Sequence, residues 1–374
     1  MRSLPVPEPR LRKVDNRTAF ASFSCDKMAV GRKFYDTVVV KGTFALAPGR
    51  LVRDKEQAEV VLSDTYWDAA GAARSSLKQA GEAVLLKPRT DVIVTGTLRA
   101  PVGLCAPQWS ASVVVWRRGE AVIDYHVEVF GPRMLRHAAS RWSLLEADDT
   151  SEVPIRYELS YGGAYQAPAN DASDDDAAGP HAERPWIVHP PNPSGVGFCD
   201  ERALDTDTLQ PAPRWQTREA PFKQVNAEIP PAGFGPISRS WSSRLQYAGT
   251  YDAAWESGMR ADVARGLPAD YPADFDPRFF QCAHPELIAP GYLDGDEQIE
   301  LGGVMPQDKP YTLALPGGRI VARLVDGKGT SHVERLALDT VHVDVDAGKV
   351  YVCHRLTLDQ ARDVRSAEIE MEEA

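Results

Sequence analysis

Apolar and polar residues alternate through much of the first 165 positions. In Thr37–Leu46 (TVVVKGTFAL), Val38, Val40, Phe44 and Leu46 share one face, while Lys41 and Thr43 share the other. A two-residue period predicts a strand, because successive side chains leave opposite faces of a pleated backbone. Asp91–Leu98 (DVIVTGTL) repeats the pattern, with Gly96 marking a bulge or a close approach. Ala111–Trp116 and Ala121–Phe130 flank Arg117-Arg118-Gly119-Glu120, which predicts a hairpin. Ile155–Tyr161 reads as a further short strand ending at Gly162-Gly163.

The pattern then changes. Gln166–Asp200 carries six prolines and the acidic run Asp171–Asp176 (DASDDD), which predicts a long exposed loop. Pro230–Phe280 holds nine of the 31 aromatic residues, with six prolines and five glycines, in 51 positions. Each proline removes a backbone donor and fixes φ at about −65°. Disordered linkers, in contrast, are poor in large aromatics. The stretch therefore predicts irregular but ordered backbone, pinned by its aromatic side chains. Within it Tyr251–Arg260 predicts a short helix that Pro268 stops. Strands return after residue 310: Tyr311–Leu315, Arg319–Asp326, and a hairpin from Thr340–Asp346 to Lys349–Arg355 turning at Ala347-Gly348. The tail from Leu358 onward reads as a short acidic helix or a frayed end.

Many short strands, Gly/Pro turns and few helical periods predict a mainly β fold. Its expected form is an antiparallel, sandwich-like architecture with long irregular loops and few short helices. The layout reads as a basic N-terminal arm (1–29) and a main domain (30–310), then C-terminal hairpins (311–357) and an acidic tail (358–374). Inside the main domain are a strand-rich part (30–165), the acidic loop (166–200) and the aromatic segment (230–280).

A composition of 43% hydrophobic and 25% charged residues is ordinary for a soluble protein. MRSLPVPEPRLRKV has no apolar h-region, and no apolar run is long enough to cross a bilayer, so neither a secretory signal nor a membrane partner is expected. Five scattered cysteines without a CxxC argue against a disulfide framework or a zinc knuckle, and a cytoplasmic location with reduced thiols is expected. The net charge of −11 is unevenly spread: residues 1–55 hold twelve basic and five acidic groups, and the remainder carries −18. An acidic body excludes a broad phosphate-binding footprint, so no nucleic-acid partner is expected. Keeping the chain soluble is the simpler role of this charge, with steering of a basic partner as the alternative.

Candidate chemistry is sparse. His342, Asp344 and Asp346 (VHVDVD) share one strand face and are ligand types for a divalent metal, but they also match a solvated face opposite Val341, Val343 and Val345. Asn192–Phe198 (NPSGVGF) is flexible like a phosphate loop, yet lacks the Gly-Lys-Ser/Thr ending and reads as a structural turn. No Ser stands in a GxSxG elbow. Cys282 and His284 are neighbours without an orienting third group, and a buried thiol is the simpler reading. Asp270, Asp274 and Asp276 become a glycosidase pair only through distance in space. His126 shares a face with Asp124 and Glu128, as a proton-transfer cluster or an outward polar face does. No catalytic residue, metal or cofactor is expected.

Several stretches in series resemble the bacterial domain-of-unknown-function family 2169. They are Val38–Leu46, Leu85–Pro101 (LLKPRTDVIVTGTLRAP), Pro154–Gly163 (PIRYELSYGG) and Asn192–Phe198, followed by Pro231–Arg244 (PAGFGPISRSWSSR), Ala248–Trp255 (AGTYDAAW) and Pro272–Phe280 (PADFDPRFF). The acidic insert and the C-terminal hairpins are less characteristic of it. The resemblance implies an adaptor or chaperone of type VI secretion, without enzymatic activity or cofactor. Its implied partners are a secreted effector or toxin and spike proteins of the VgrG and PAAR kinds. Aromatic and arginine side chains dominate interface energies, which makes Trp241, Arg244, Tyr251 and Trp255 the candidate protein-binding residues. Two rival expectations are a β-sandwich hydrolase or carbohydrate-active enzyme, and a structural component of the spike.

Overall fold

The computed structural model describes residues 11, 13–69, 74–138, 141–168, 184–204 and 207–372. The acidic run Asp171–Asp176 lies outside them. The fold is mainly β, with two α-helices among the described residues. In chain order the strands of its three main sheets begin with β1 (Lys13–Asn16), β2 (Ala21–Ala29), β3 (Lys33–Ala45), β4 (Gly49–Arg50) and β5 (Asp91–Thr95). They continue with β6 (Gln108–Arg117), β7 (Glu120–Phe130), β8 (Trp215–Gln216), β9 (Gln298–Gly302) and β10 (Tyr311–Ala314). The C-terminal part supplies β11 (Arg319–Asp326), β12 (Ser331–Arg335), β13 (Ala337–Asp344), β14 (Lys349–Asp359) and β15 (Val364–Glu372).

The central sheet runs β2-β3-β14-β13-β5, with Val52–Arg53 pairing the end of β3. A second sheet runs β8-β7-β6-β9-β10-β4, and a third β1-β15-β11-β12. Most pairs are antiparallel, while β13–β5, β10–β4 and β1–β15 are parallel, so the sheets are mixed. The expected β6–β7 hairpin turns on Arg118 and Gly119, at φ of 52° and 85°. Two positive φ values match the right-handed strand twist, and glycine adopts one at no steric cost.

The apolar face of the central sheet serves two cores. Val92, Val341 and Val352 pack with Val113, Ile299 and Leu313 of the second sheet. Val38, Val40 and Leu356 pack with Ile320, Leu324 and Ile369 of the third. The opposite face is polar and equally dry: Lys41, Asp91, Asp339, Thr340 and Arg355 are each at most 5% exposed. Lys41 and Thr43, read from the alternation as the polar face of a strand, thus lie beneath the irregular stretch around residues 60–87, whose Val60, Val84 and Leu85 pack onto the sheet.

Three elements differ from expectation. The tail from Leu358 is neither helix nor frayed end: β14 runs on to Asp359, and β15 is an interior strand of the third sheet. Its own alternation, Ala367, Ile369 and Met371 against Glu368, Glu370 and Glu372, is that of a strand with one covered face. Residues 13–29, grouped with the basic arm, supply β1 and β2. Ile155–Tyr161 is interrupted by a 3-10 turn at Tyr157–Leu159, leaving Glu152–Pro154 and Tyr161–Gly162 extended.

Candidate functional site

The aromatic segment is ordered irregular backbone with two helices, α1 (Ser242–Leu245) and α2 (Ala253–Ala264). It divides the predicted binding residues into two pairs. Trp241 is fully buried, edge-on to Tyr157 at 5.2 Å. Arg244 is 4% exposed; its Nη1 donates to Ile237 O at 2.8 Å, and Nε and Nη2 donate to Phe279 O at 3.0 and 2.9 Å. Burial pulls the pKa of this guanidinium below the ordinary arginine range. Arg244 ties the segment to itself and Trp241 ties it to Tyr157, and neither offers anything to a surface as folded.

Tyr251 and Trp255 are on the outside. Tyr251 is 55% exposed, and its ring meets the half-buried Trp255 ring at 4.6 Å. Asp252 caps α2 by accepting from Trp255 N at 2.8 Å, and Trp255 Nε1 donates to Asp270 O at 3.2 Å. An Arg32–Asp262 ion pair adds a tether, and Asp270 accepts from Gly31 N. No residue of α2 is buried.

A groove of about 710 Å³ adjoins this segment, lined by Asp124, Tyr125 and His126 of β7 and by Glu219, Pro231 and Glu286 among others. At its base His284 stacks on Tyr125 at 4.6 Å. His284 Nδ1 accepts from Glu286 N at 3.2 Å, which leaves Nε2–H to donate to Pro231 O at 3.1 Å. Burial lowers its pKa to about 4, so the imidazole is neutral with both nitrogens engaged. Cys282 belongs to a different network: its Sγ lies 3.4 Å from Asp91 and 3.5 Å from Lys87, and burial pushes the thiol up to about 11. The adjacent Cys and His therefore form no nucleophile–base pair.

The remaining candidates are held apart in the same way. His126 meets Asp124 at 2.8 Å on an exposed face, while Glu128 accepts from Ser110 and Arg218. His342 Nε2 lies 2.7 Å from Thr95 Oγ1, Asp344 accepts from Ala347 N, and Asp346 takes Thr97 and Arg99. Asp274 and Asp276 close turns onto Thr250 and Arg278. Asp294, Asp296 and Glu297 bring carboxylate oxygens within 4.8 Å of one another, but Glu297 already takes Arg117 Nε at 2.8 Å and Asp294 N at 2.7 Å. Asn192–Phe198 is structural: Asn192 Nδ2 donates to Tyr157 O and Tyr161 O, and Val196–Gly197 pairs with Tyr161–Gly162.

Sequence reasoning missed the buried charges. On the polar face of the central sheet, Lys41 pairs with Glu82 at 2.9 Å, Lys87 with Asp91 at 2.8 Å, and Arg355 with Asp339. Arg355 also donates to the carbonyls of Val84 and Glu82, and Thr357 to that of Leu85. These donors satisfy carbonyls of residues 82–85, which no described strand pairs. A second cavity, about 790 Å³, opens where the two apolar cores divide, lined by Phe44, Leu338, Val352, His354, Arg50 and Arg53 among others.

Two of the stretches in which the resemblance was read, Pro154–Gly163 and Asn192–Phe198, thus meet in space, and two more carry the buried Lys41 and the Lys87–Asp91 pair. A family described as an uncharacterized protein conserved in bacteria, DUF2169, matches residues 31–355. The chain belongs to this family. No curated protein and no solved structure matches it. The DUF2169 match spans all but the first residue of the main domain expected from sequence (30–310), and it extends through the C-terminal hairpins to Arg355. Among the described residues, no helix is long and apolar enough to cross a membrane.

Proposed function

We propose that this DUF2169 protein is a non-catalytic adaptor that holds another polypeptide, an effector of type VI secretion, and helps to load it onto the spike. The observation that carries this reading is α2, a twelve-residue helix with no buried residue. Isolated helices of that length are marginal in water, and most gain their stability by packing a face against something. Here Tyr251, the half-buried Trp255 and the 53%-exposed Val263 stand on the outside of the β scaffold. Aromatic side chains of this kind bring large contact area at low entropic cost to an interface. An adaptor that binds only folded cargo at 100 times its dissociation constant stabilises that cargo by about 2.7 kcal/mol.

The test is co-expression with a toxin candidate drawn from the neighbouring genes, followed by purification on a tag carried by the adaptor. A stoichiometric complex, lost with Tyr251→Ala/Trp255→Ala, supports the reading. Unchanged toxin abundance and export after deletion of this gene overturns it, as does turnover of a small substrate by the purified chain.

A further inference from the structure

Strand β7 is paired along one whole side by β6, but on the other side β8 covers only Glu128 and Val129. Ala121–Val127 therefore presents a strand edge that no described strand or backbone group pairs. Unpaired N–H and C=O groups in a row are a template for an added strand. The 710 Å³ groove lies along this edge. Its lining includes the consecutive residues Asp124, Tyr125 and His126. Neighbouring side chains leave opposite faces of a strand, so one groove touches all three only from the side. Thr217 and Glu219, which follow directly on β8, also line it, placing the groove where β8 would run if it continued.

The chemistry around the edge is selective. Pro191, Pro230, Pro231 and Pro285 contribute walls without backbone donors, and Ile237 adds an apolar contact. Asp124, Glu219 and Glu286 bring three carboxylates. Glu219 and Glu286 are exposed, and neither forms an ion pair among the described residues. The nearby basic side chains are already engaged, His126 hydrogen-bonded with Asp124 and Arg218 paired with Glu128.

We propose that this groove takes an extended basic segment of a partner polypeptide, which adds as a strand to β7. Its alternate apolar side chains rest on the proline walls, and its lysine or arginine side chains meet Asp124, Glu219 and Glu286. This deepens the adaptor reading and rests on it for the source of the segment. No residue of α2 lines the groove.

The probe is a capped hexapeptide of alternating lysine and valine, titrated into the full chain and followed by amide hydrogen exchange. The expected result is saturable binding with slowed exchange in Ala121–Val127. Glu219→Lys/Glu286→Lys, at exposed positions, weakens the peptide by about tenfold through like-charge repulsion. The same peptide N-methylated at alternate amides fails to bind, because main-chain donors carry strand addition. Equal binding of the N-methylated peptide, or unchanged exchange at Ala121–Val127, overturns the proposal. A toxin that co-purifies equally with wild type and with Glu219→Lys/Glu286→Lys removes the groove proposal and leaves the adaptor standing. Peptide protection at β7 without any toxin complex removes the adaptor reading and supports the groove.

Discussion

Lys87 Nζ lies 2.8 Å from Asp91 Oδ2, with the two side chains only 2% and 0% exposed. Lys87 belongs to the irregular cover of the central sheet and Asp91 opens β5, so the pair fastens the cover to the sheet. Thr340 Oγ1 and Cys282 N complete it, at 2.8 Å from Lys87 and 2.9 Å from Asp91. Burial by itself lowers the pKa of Lys87; Asp91, Cys282 and Asp339 reverse that and hold the ammonium well above the ordinary lysine range.

Removing one partner leaves an uncompensated charge in a dry site. Lys87→Met is expected to destabilise the chain by about 3–5 kcal/mol. Adding Asp91→Asn recovers part of the loss, because the neutral amide still accepts from Cys282 N. Urea denaturation of the two single variants and the double variant checks this as a cycle.

Acid sensitivity follows from His284. Its pKa is about 4 in the folded chain against an ordinary 6.5, with burial as the cause. Between those values the unfolded chain binds more protons, so stability falls as pH drops through the window and levels off below about 4. The loss is on the order of 3 kcal/mol. His354, also at about 4 through burial, acts in the same direction. Urea midpoints at pH 7.5, 6 and 5 measure the slope, which His284→Phe flattens.

Gly162 and Asn192 tie two distant stretches together. A Cβ on Gly162 would lie 2.1 Å from Asn192 O, at φ of +152°. Gly162→Ala is expected to cost about 1–3 kcal/mol by overpacking. Asn192→Ala costs a similar amount, because the buried carbonyls of Tyr157 and Tyr161 each lose a donor. Thermal unfolding of each variant provides the measure.

The four predicted binding residues separate by their effect on stability. Trp241→Ala empties a fully buried site and costs about 3–5 kcal/mol. Tyr251→Ala changes stability by no more than about 0.5 kcal/mol, and under the adaptor proposal its effect is on complex formation instead. Parallel melting curves and pull-downs distinguish the two.

Truncation after Asp363 removes β15, whose Val364, Ala367 and Ile369 are at most 2% exposed. It strips the partner from both β1 and β11 and uncovers the second core. Insoluble expression is expected, whereas a frayed tail would be dispensable; solubility and circular dichroism decide.

A period of two along Thr37–Leu46 and on either side of Arg118-Gly119 was enough to read strands, a tight hairpin and a mainly β fold. The short helix expected over Tyr251–Arg260 ahead of Pro268 is α2, which runs from Ala253 to Ala264. Those features are local: backbone geometry relates each side chain to its near neighbours in the chain. Exposure is not local. Lys41 has the pattern of a solvated residue and is buried because residues 60–87 fold over it, and the tail becomes a central strand because β1 and β11 come to either side. Trp241 and Tyr251 are ten positions apart in one aromatic-rich segment, yet one fills a core and the other faces water. What covers a face comes from elsewhere in the chain, so sequence alone determined most of the main strands, the fold class and the family, and only tertiary structure decided the tail's place in a sheet, which polar groups are paired in the interior and which surfaces stay open.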